Sequence, residues 1–258
     1  VAAALLGWKM DAAKRWAPRL AKVALATLRR SSKAGGAPVG DAAQAAFKML
    51  AALLSKESCG VALPDAQLKA VAASVRAALG ESALGDDDSF ASTRAATYAL
   101  LGTMVKVPVV TTEVYDAMDA IADLCVTSLE RAERRRASKI FVDFLRSYPM
   151  GKKRLAHHLG QLVAGLDYAF EEGRLAALDH LCAAFKALAP DALDARADAF
   201  FGPLAARCAN EDVSSCAARA MEVLGVLVGR VGEDTRKRLL VRCEEFLDAA
   251  AADDPRLD

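Results

Sequence analysis

Aromatic residues make up only 6% of the chain, with two tryptophans and three histidines among 258 residues. So few rings exclude a stacking platform built for bases, because such a platform interleaves rings with cations. The charges almost cancel, 34 Lys and Arg against 33 Asp and Glu. Binding of nucleic acid through bulk charge is thereby excluded, and only a local patch could do it. No run of 18 or more apolar residues is present, which excludes a membrane-spanning helix by sequence. The apolar start Val1–Leu6 is short and precedes the charges, the reverse of a secretion signal. The chain opens on Val1 rather than methionine, and we read it as one section of a longer product. No Cys-x-x-Cys occurs, so Cys59, Cys125, Cys182, Cys208, Cys216 and Cys243 read as small apolar side chains in a reducing compartment.

Motifs of chemistry are missing too. His157 and His158 are adjacent, so on a helix they project about 100° apart and make a poor metal pair. His180 lies one helix further on, and no His-Glu-x-x-His occurs. Gly151-Lys152-Lys153 superficially resembles the end of a phosphate loop. That loop needs glycine where Arg146 stands and Ser or Thr where Lys153 stands. No nucleophile elbow or dinucleotide fingerprint appears. The acids at Glu171-Glu172 and Asp86-Asp87-Asp88 sit at expected turns and read as solvated. The sequence therefore predicts no catalytic residue, no metal site and no cofactor.

What is present is helix. Alanine and leucine mixed with charged residues favour it. Apolar residues recur at spacings of three and four: Val114, Met118, Ile121, Cys125 and Leu129; then Leu155, Leu159, Leu162, Val163, Leu166 and Phe170; then Leu175, Leu178, Leu181, Cys182, Phe185 and Leu188; then Val213, Cys216, Ala220, Leu224, Leu227 and Val231. The best strand candidate, Val105–Thr112, is interrupted by Pro108. Breaks fall at 34–40, 55–64, 80–89, 106–111, 148–151, 171–173, 189–190 and 210, with 34–40 and 85–89 read as exposed loops. Thr111 or Thr112 and Asn210 are expected helix caps.

Pairing successive helices gives units of roughly 40–47 residues, the period of HEAT or armadillo arrays. The expected fold is all-α, a HEAT/armadillo-like α-solenoid of stacked antiparallel pairs. The whole of 1–258 reads as a single fragment with pairs at about 17–54, 64–105, 112–148, 152–189 and 191–231, plus flanking helices. No single pair can bury its own stripe, so neighbours must stack.

Basic residues cluster twice. From Leu129 to Arg154 there are nine Lys or Arg and three acids. Arg131, Arg134, Arg135, Arg136 and Lys139 lie on one helix, and Lys152, Lys153 and Arg154 open the next. If these converge on one edge they are candidate contacts for RNA or another partner. Lys9, Lys14, Arg15, Arg19, Lys22, Arg29 and Arg30 form a second basic region. Solvated faces with ion pairs between helices are the alternative for both.

The corner Phe144-Leu-Arg-Ser-Tyr-Pro-Met-Gly-Lys-Lys-Arg-Leu155 resembles a segment of the down-regulated-in-metastasis (DRIM) family, the small nucleolar RNA-associated protein 20 type. Its pattern there is approximately Phe-Leu-Leu-x-Tyr-Pro-Leu-Gly-Lys-Lys-Arg-Leu. Glu113–Asp119, Val126–Ser128, Leu166–Leu175, Phe200–Leu204 and Asn210–Cys216 are similar in order. The chain departs after Cys216, where Ala217-Ala218-Arg219 displaces an arginine usually next to the cysteine. The resemblance implies a nucleolar scaffold of the small-subunit processome that supports pre-rRNA processing. It implies processome proteins as partners, pre-rRNA or small nucleolar RNA as further candidates, and no membrane or small-molecule substrate. Tyr148, Pro149 and Gly151 are expected to shape the corner. Gly173, with Arg174 beside it, is expected to form a tight turn that needs positive φ. A generic HEAT adaptor, such as a transport receptor or phosphatase scaffold, and a helical hydrolase using His157, His158 or His180 are the alternatives.

Overall fold

The computed structural model describes residues 11–32, 37–80, 88–107, 109–128 and 130–252, without the side chains of 11–14, 88–90 and 246–252. Among them the regular structure is helical, apart from one isolated bridge between Ser32 and Pro38. The fold is all-α, built from stacked helix pairs of the HEAT-like solenoid kind. The chain divides into two compact units, Val1–Leu155 and Ala156–Asp258.

In the first unit, α1 (Asp11–Ser31) pairs with α2 (Asp41–Leu54), and α3 (Asp65–Gly80) with α4 (Asp88–Lys106). The third pair is α5 (Thr112–Thr127) with α6 (Arg131–Ser147). The first helices of the pairs pack on one another, α1 on α3 and α3 on α5. The second helices do the same, α2 on α4 and α4 on α6. Two layers result, and the apolar stripe of each helix closes the core between them. Phe47, Phe141 and Phe144 are among its fully buried side chains.

The second unit takes in most of α7 (Lys152–Ala164), a 3-10 turn (Gly165–Asp167) and α8 (Glu171–Ala187). The short α9 (Pro190–Asp194), α10 (Ala197–Asn210), α11 (Ser214–Arg230) and α12 (Glu233–Ala252) follow. Here α11 packs on both α8 and α10, and α12 lies against α10 and α11. Phe185 and Phe201 are buried at its centre.

Local chemistry sets the boundaries. Thr111 caps α5, its Oγ accepting from the Val114 N–H at 3.3 Å. Pro190 opens α9 with Asp191 behind it, where the missing N–H costs nothing and the acid meets the positive helix end. Cys59, Cys125, Cys182 and Cys216 are buried thiols, and all six cysteines are free. Burial pushes the Cys125 thiol well above its usual range.

Several details differ from the sequence expectations. The break expected at 171–173 falls earlier, because α7 tightens into the 3-10 turn and α8 begins at Glu171. Phe170, expected on an apolar stripe, is instead the exposed residue before α8. Gly173 is buried inside the first turn of α8 and has no positive φ; among the described residues the glycines with positive φ are Gly40 (φ 98) and Gly60 (φ 60). Asn210 ends α10 rather than capping α11. The Glu211 side chain takes the Val213 N–H at 3.2 Å instead. Ala37 and Pro38, expected in an exposed loop, are buried; 34–36 and 85–87 lie outside the described residues, and Asp88 already begins α4.

Candidate functional site

The corner between α6 and α7 is built on tyrosines. Tyr148 follows the last turn of α6; its ring is buried, 4.9 Å from Phe144 and 5.4 Å from Tyr115 by centroids. Its hydroxyl donates to the Val109 carbonyl, in the loop between α4 and α5. Tyr115 of α5 donates its own hydroxyl to the Pro149 carbonyl at 2.6 Å. The residues of the corner are thus tied to the preceding loop and helix. Burial, with Tyr115 beside it, pushes the Tyr148 hydroxyl up to about 12, so it remains a neutral donor near neutral pH. Tyr148→Phe is expected to cost about 1–2 kcal/mol, because the buried Val109 carbonyl loses its donor. Urea unfolding followed by circular dichroism measures it, and an unchanged midpoint would remove the corner's anchoring role.

Lys152, Lys153 and Arg154 are exposed on the first turn of α7. Arg154 is not free of the fold: its guanidinium lies 4.1 Å over the Tyr115 ring. An aromatic partner for a cation therefore exists, and the sequence hid it because it comes from α5. On α6, Arg131, Arg135, Arg136 and Lys139 are exposed, whereas Arg134 is half-buried and donates to the Ser128 carbonyl. The two clusters are set apart along α6: the backbone rises about 24 Å from Arg131 to Ser147, and Lys139 lies halfway, about 12 Å before the end that Lys152 follows. In the second basic region Arg15, Arg19, Lys22, Arg29 and Arg30 are exposed, with Arg19 lying 4.9 Å over the Trp16 ring. Lys9 lies outside the described residues.

Two buried carboxylates went unnoticed in the sequence. Glu133, on the first turn of α6, accepts from Arg94 Nη1 at 2.7 Å, from the Tyr98 hydroxyl at 3.0 Å and from Ser128. Burial, and the Glu133 charge beside it, push the Tyr98 hydroxyl far above its ordinary value. Glu211, just before α11, has a side chain only 2% exposed. Arg174 of α8 grips it with two bonds of 3.0 and 2.9 Å, and Arg207 adds a third at 3.1 Å. Burial pushes the Glu211 carboxyl up, but the bonds from Arg174, the Val213 N–H and Arg207 together outweigh it and hold it below the usual range. Arg174 also donates to the Tyr168 and Ala169 carbonyls, which fixes the chain entering α8.

These pairs follow the repeat. Arg94–Glu133, Arg174–Glu211, Arg207–Asp167, Arg219–Asp179 and Arg238–Asp198 join residues 37 to 40 apart, and Arg242 reaches Asp198 from 44 away. Each links one helix pair to the next within its unit. Arg219, the displaced arginine, thus holds Asp179 at 2.8 Å and Glu222 as well. Opposite charges recurring at the period of the hydrophobic pattern were the signal available to find them.

The histidines do not gather around a nucleophile. His180 is buried and desolvation lowers it to about 4, so it packs as a neutral ring. His158 is buried with its Nδ1 3.1 Å from Gln161 Oε1, while His157 is exposed. A cleft of about 510 Å³ opens in the first unit between the loops after α2 and α4. Leu54, Val61, Leu63, Val109 and Val110 line it, with Lys56 and Lys69 also on its walls and no histidine or cysteine.

No family model matches the chain. It is 26% identical over 138 residues to the U3 small nucleolar RNA-associated protein 20 of Schizosaccharomyces pombe, a match covering 54% of this chain. The same match covers 5% of that relative's length. Among solved structures it is similar to an archaeal HEAT-like repeats protein from Thermococcus onnurineus NA1, with a TM-score of 0.49, 15% identity and coverage of 90% of this chain and 80% of the other. An engineered protein aligns over 85% of this chain and 91% of its own, with a TM-score of 0.41 and 16% identity. Among the described residues no helix is long and apolar enough to cross a membrane.

Proposed function

We propose that this chain is a scaffold section of a processome-type helical-repeat protein. In that reading it holds protein partners, and pre-rRNA or small nucleolar RNA, during early assembly of the small ribosomal subunit in the nucleolus. The observation that carries the reading is the 138-residue match to the U3 small nucleolar RNA-associated protein 20. The ordered motifs of the corner and of the turn before α8 support it. Their residues serve architecture rather than chemistry: Tyr148 anchors the corner, and Arg174 joins two repeats through Glu211. A scaffold of this kind needs no cofactor and no catalytic residue, because spanning and bracing are its work.

The test is recovery of the full-length protein from cells with its bound RNA. Enrichment of U3 small nucleolar RNA and unprocessed pre-rRNA is expected, together with accumulation of uncleaved precursor when the protein is depleted. Recovery of transport cargo or a phosphatase without pre-rRNA would assign the chain to the generic adaptors. The cleft between the loops after α2 and α4, where Lys56, Asp65 and Lys69 stand among valines and leucines, is the feature that favours that second reading.

A further inference from the structure

Among the described residues, a set of arginines is committed to ion pairs between repeats. Arg76, Arg94, Arg174, Arg207, Arg219, Arg238 and Arg242 are each committed to a carboxylate on a neighbouring repeat. Arg131, Arg135, Arg136 and Lys139 are not: all four are exposed, and none makes an ion pair within 4.0 Å among the described residues. The acids of the same helix are already occupied. Glu133 is turned inward to Arg94, Tyr98 and Ser128, and Asp143 is paired with Arg146 at 2.7 Å. Glu130, exposed before the first turn, is the acid left beside the stripe. Residues 131, 135 and 139 follow one another at four-residue steps, so their anchors form a line of about 12 Å along one flank of α6. Arg131, the first residue of the helix, sits against the positive end of its macrodipole, where a cation is disfavoured.

The composition of the flank selects the partner. A protein interface of useful affinity has an apolar or aromatic centre. None of the exposed large hydrophobic residues belongs to α6. A platform for single strands needs exposed rings for base stacking; the rings of α6, Phe141 and Phe144, are buried. A linear row of uncommitted cations without apolar or ring contacts suits a polyanion bound through its backbone alone. We propose that Arg131, Arg135, Arg136 and Lys139 seat the phosphate backbone of a nucleic-acid duplex without reading its sequence. The proposal stands on the charge inventory of α6 and is independent of the processome reading.

The experiment is fluorescence anisotropy of the 258-residue chain with a random-sequence RNA duplex, a DNA duplex of the same sequence and a polyglutamate peptide, each over a salt series. Four phosphate contacts give a slope of log affinity against log salt of about −3.6 on a duplex. The triple variant Arg135→Ala/Arg136→Ala/Lys139→Ala is expected to flatten it to about −0.9, with melting unchanged because the three side chains are exposed. Lys152→Ala/Lys153→Ala, at the other end of α6, is expected to leave the slope as it was. A preference between the two duplexes identifies the natural form, and either supports the seat. A slope unaltered by the triple variant, loss of binding in the lysine variant instead, no duplex binding at low salt, or tighter binding of polyglutamate would each overturn it. Cellular recovery of pre-rRNA tests the scaffold reading separately, so failure of one leaves the other legible.

Discussion

Glu211→Ala is expected to destabilise the second unit by about 3 kcal/mol, the lower end of what breaking a buried ion pair costs. The Glu211 side chain is 2% exposed and that of Arg174 is 11% exposed, so removing the carboxylate strands a guanidinium in a nearly dry site. Arg174 would keep the Tyr168 and Ala169 carbonyls, which holds the loss below the upper end of that range. Arg207 would keep Asp167 at 2.6 Å, and the Val213 N–H would lose its acceptor. Replacing both ends of the pair, Arg174→Met with Glu211→Leu, removes the stranded charge and should recover much of the loss. Urea unfolding of the single and double variants measures the coupling. Hydrogen exchange at α8 and α11 shows whether the loss is confined to the seam they share. A single variant within about 0.5 kcal/mol of the parent would mean that the pair does not hold the repeats together.

The same carboxylate gives this unit an acid limit. Its folded value lies below that of an unfolded glutamate, about 4.3. Its contribution is therefore complete above that unfolded value and is lost as pH falls through the lower folded one. Glu211→Gln should flatten stability against pH in that acidic window while leaving the slope above pH 6 unchanged. His180 adds to acid sensitivity in the same direction, because a ring held neutral down to about 4 must charge when the chain unfolds below its ordinary 6.5.

The helices were legible because burial and period coincide. Val114, Met118, Ile121 and Cys125 are spaced as one face of a helix, and all four are buried in α5. Thr111 was legible as a cap because its hydroxyl sits three residues before the N–H it accepts from. Gly173 misled, since a glycine beside two acids reads equally as a turn or as a first helical turn; here the acids favour the helix dipole and the glycine is simply buried. Glu133 and Glu211 were hidden for a different reason. Their partners lie 39 and 37 residues away, and a local pattern does not show which acid of a polar helix turns inward. The basic residues illustrate the same limit. Nine cations between Leu129 and Arg154 read as one patch in sequence, yet α6 spreads them along about 24 Å of helix and past its end, and Arg154 is engaged by a ring from α5.

Phe144→Ala is expected to destabilise the first unit by about 3–5 kcal/mol. Phe144 has no exposed surface, and its ring lies 4.9 Å from Tyr148, 6.1 Å from Tyr115 and 6.3 Å from Phe141 by centroids. Truncation removes the transfer energy of the ring and leaves a cavity among side chains that cannot easily collapse. Tyr148 is pinned by its bond to Val109, and Tyr115 by its bond to Pro149 and by the guanidinium of Arg154. Pinned neighbours are what place a large-to-small change at the costly end of its range. Phe144→Leu should cost less, about 1–2 kcal/mol, because part of the volume is kept. Unfolding in urea gives both numbers, and hydrogen exchange should show the loss at α5 and α6. A cost for Phe144→Ala below about 1 kcal/mol would mean that the corner relaxes, and that its tyrosines do not hold the end of α6 against α5.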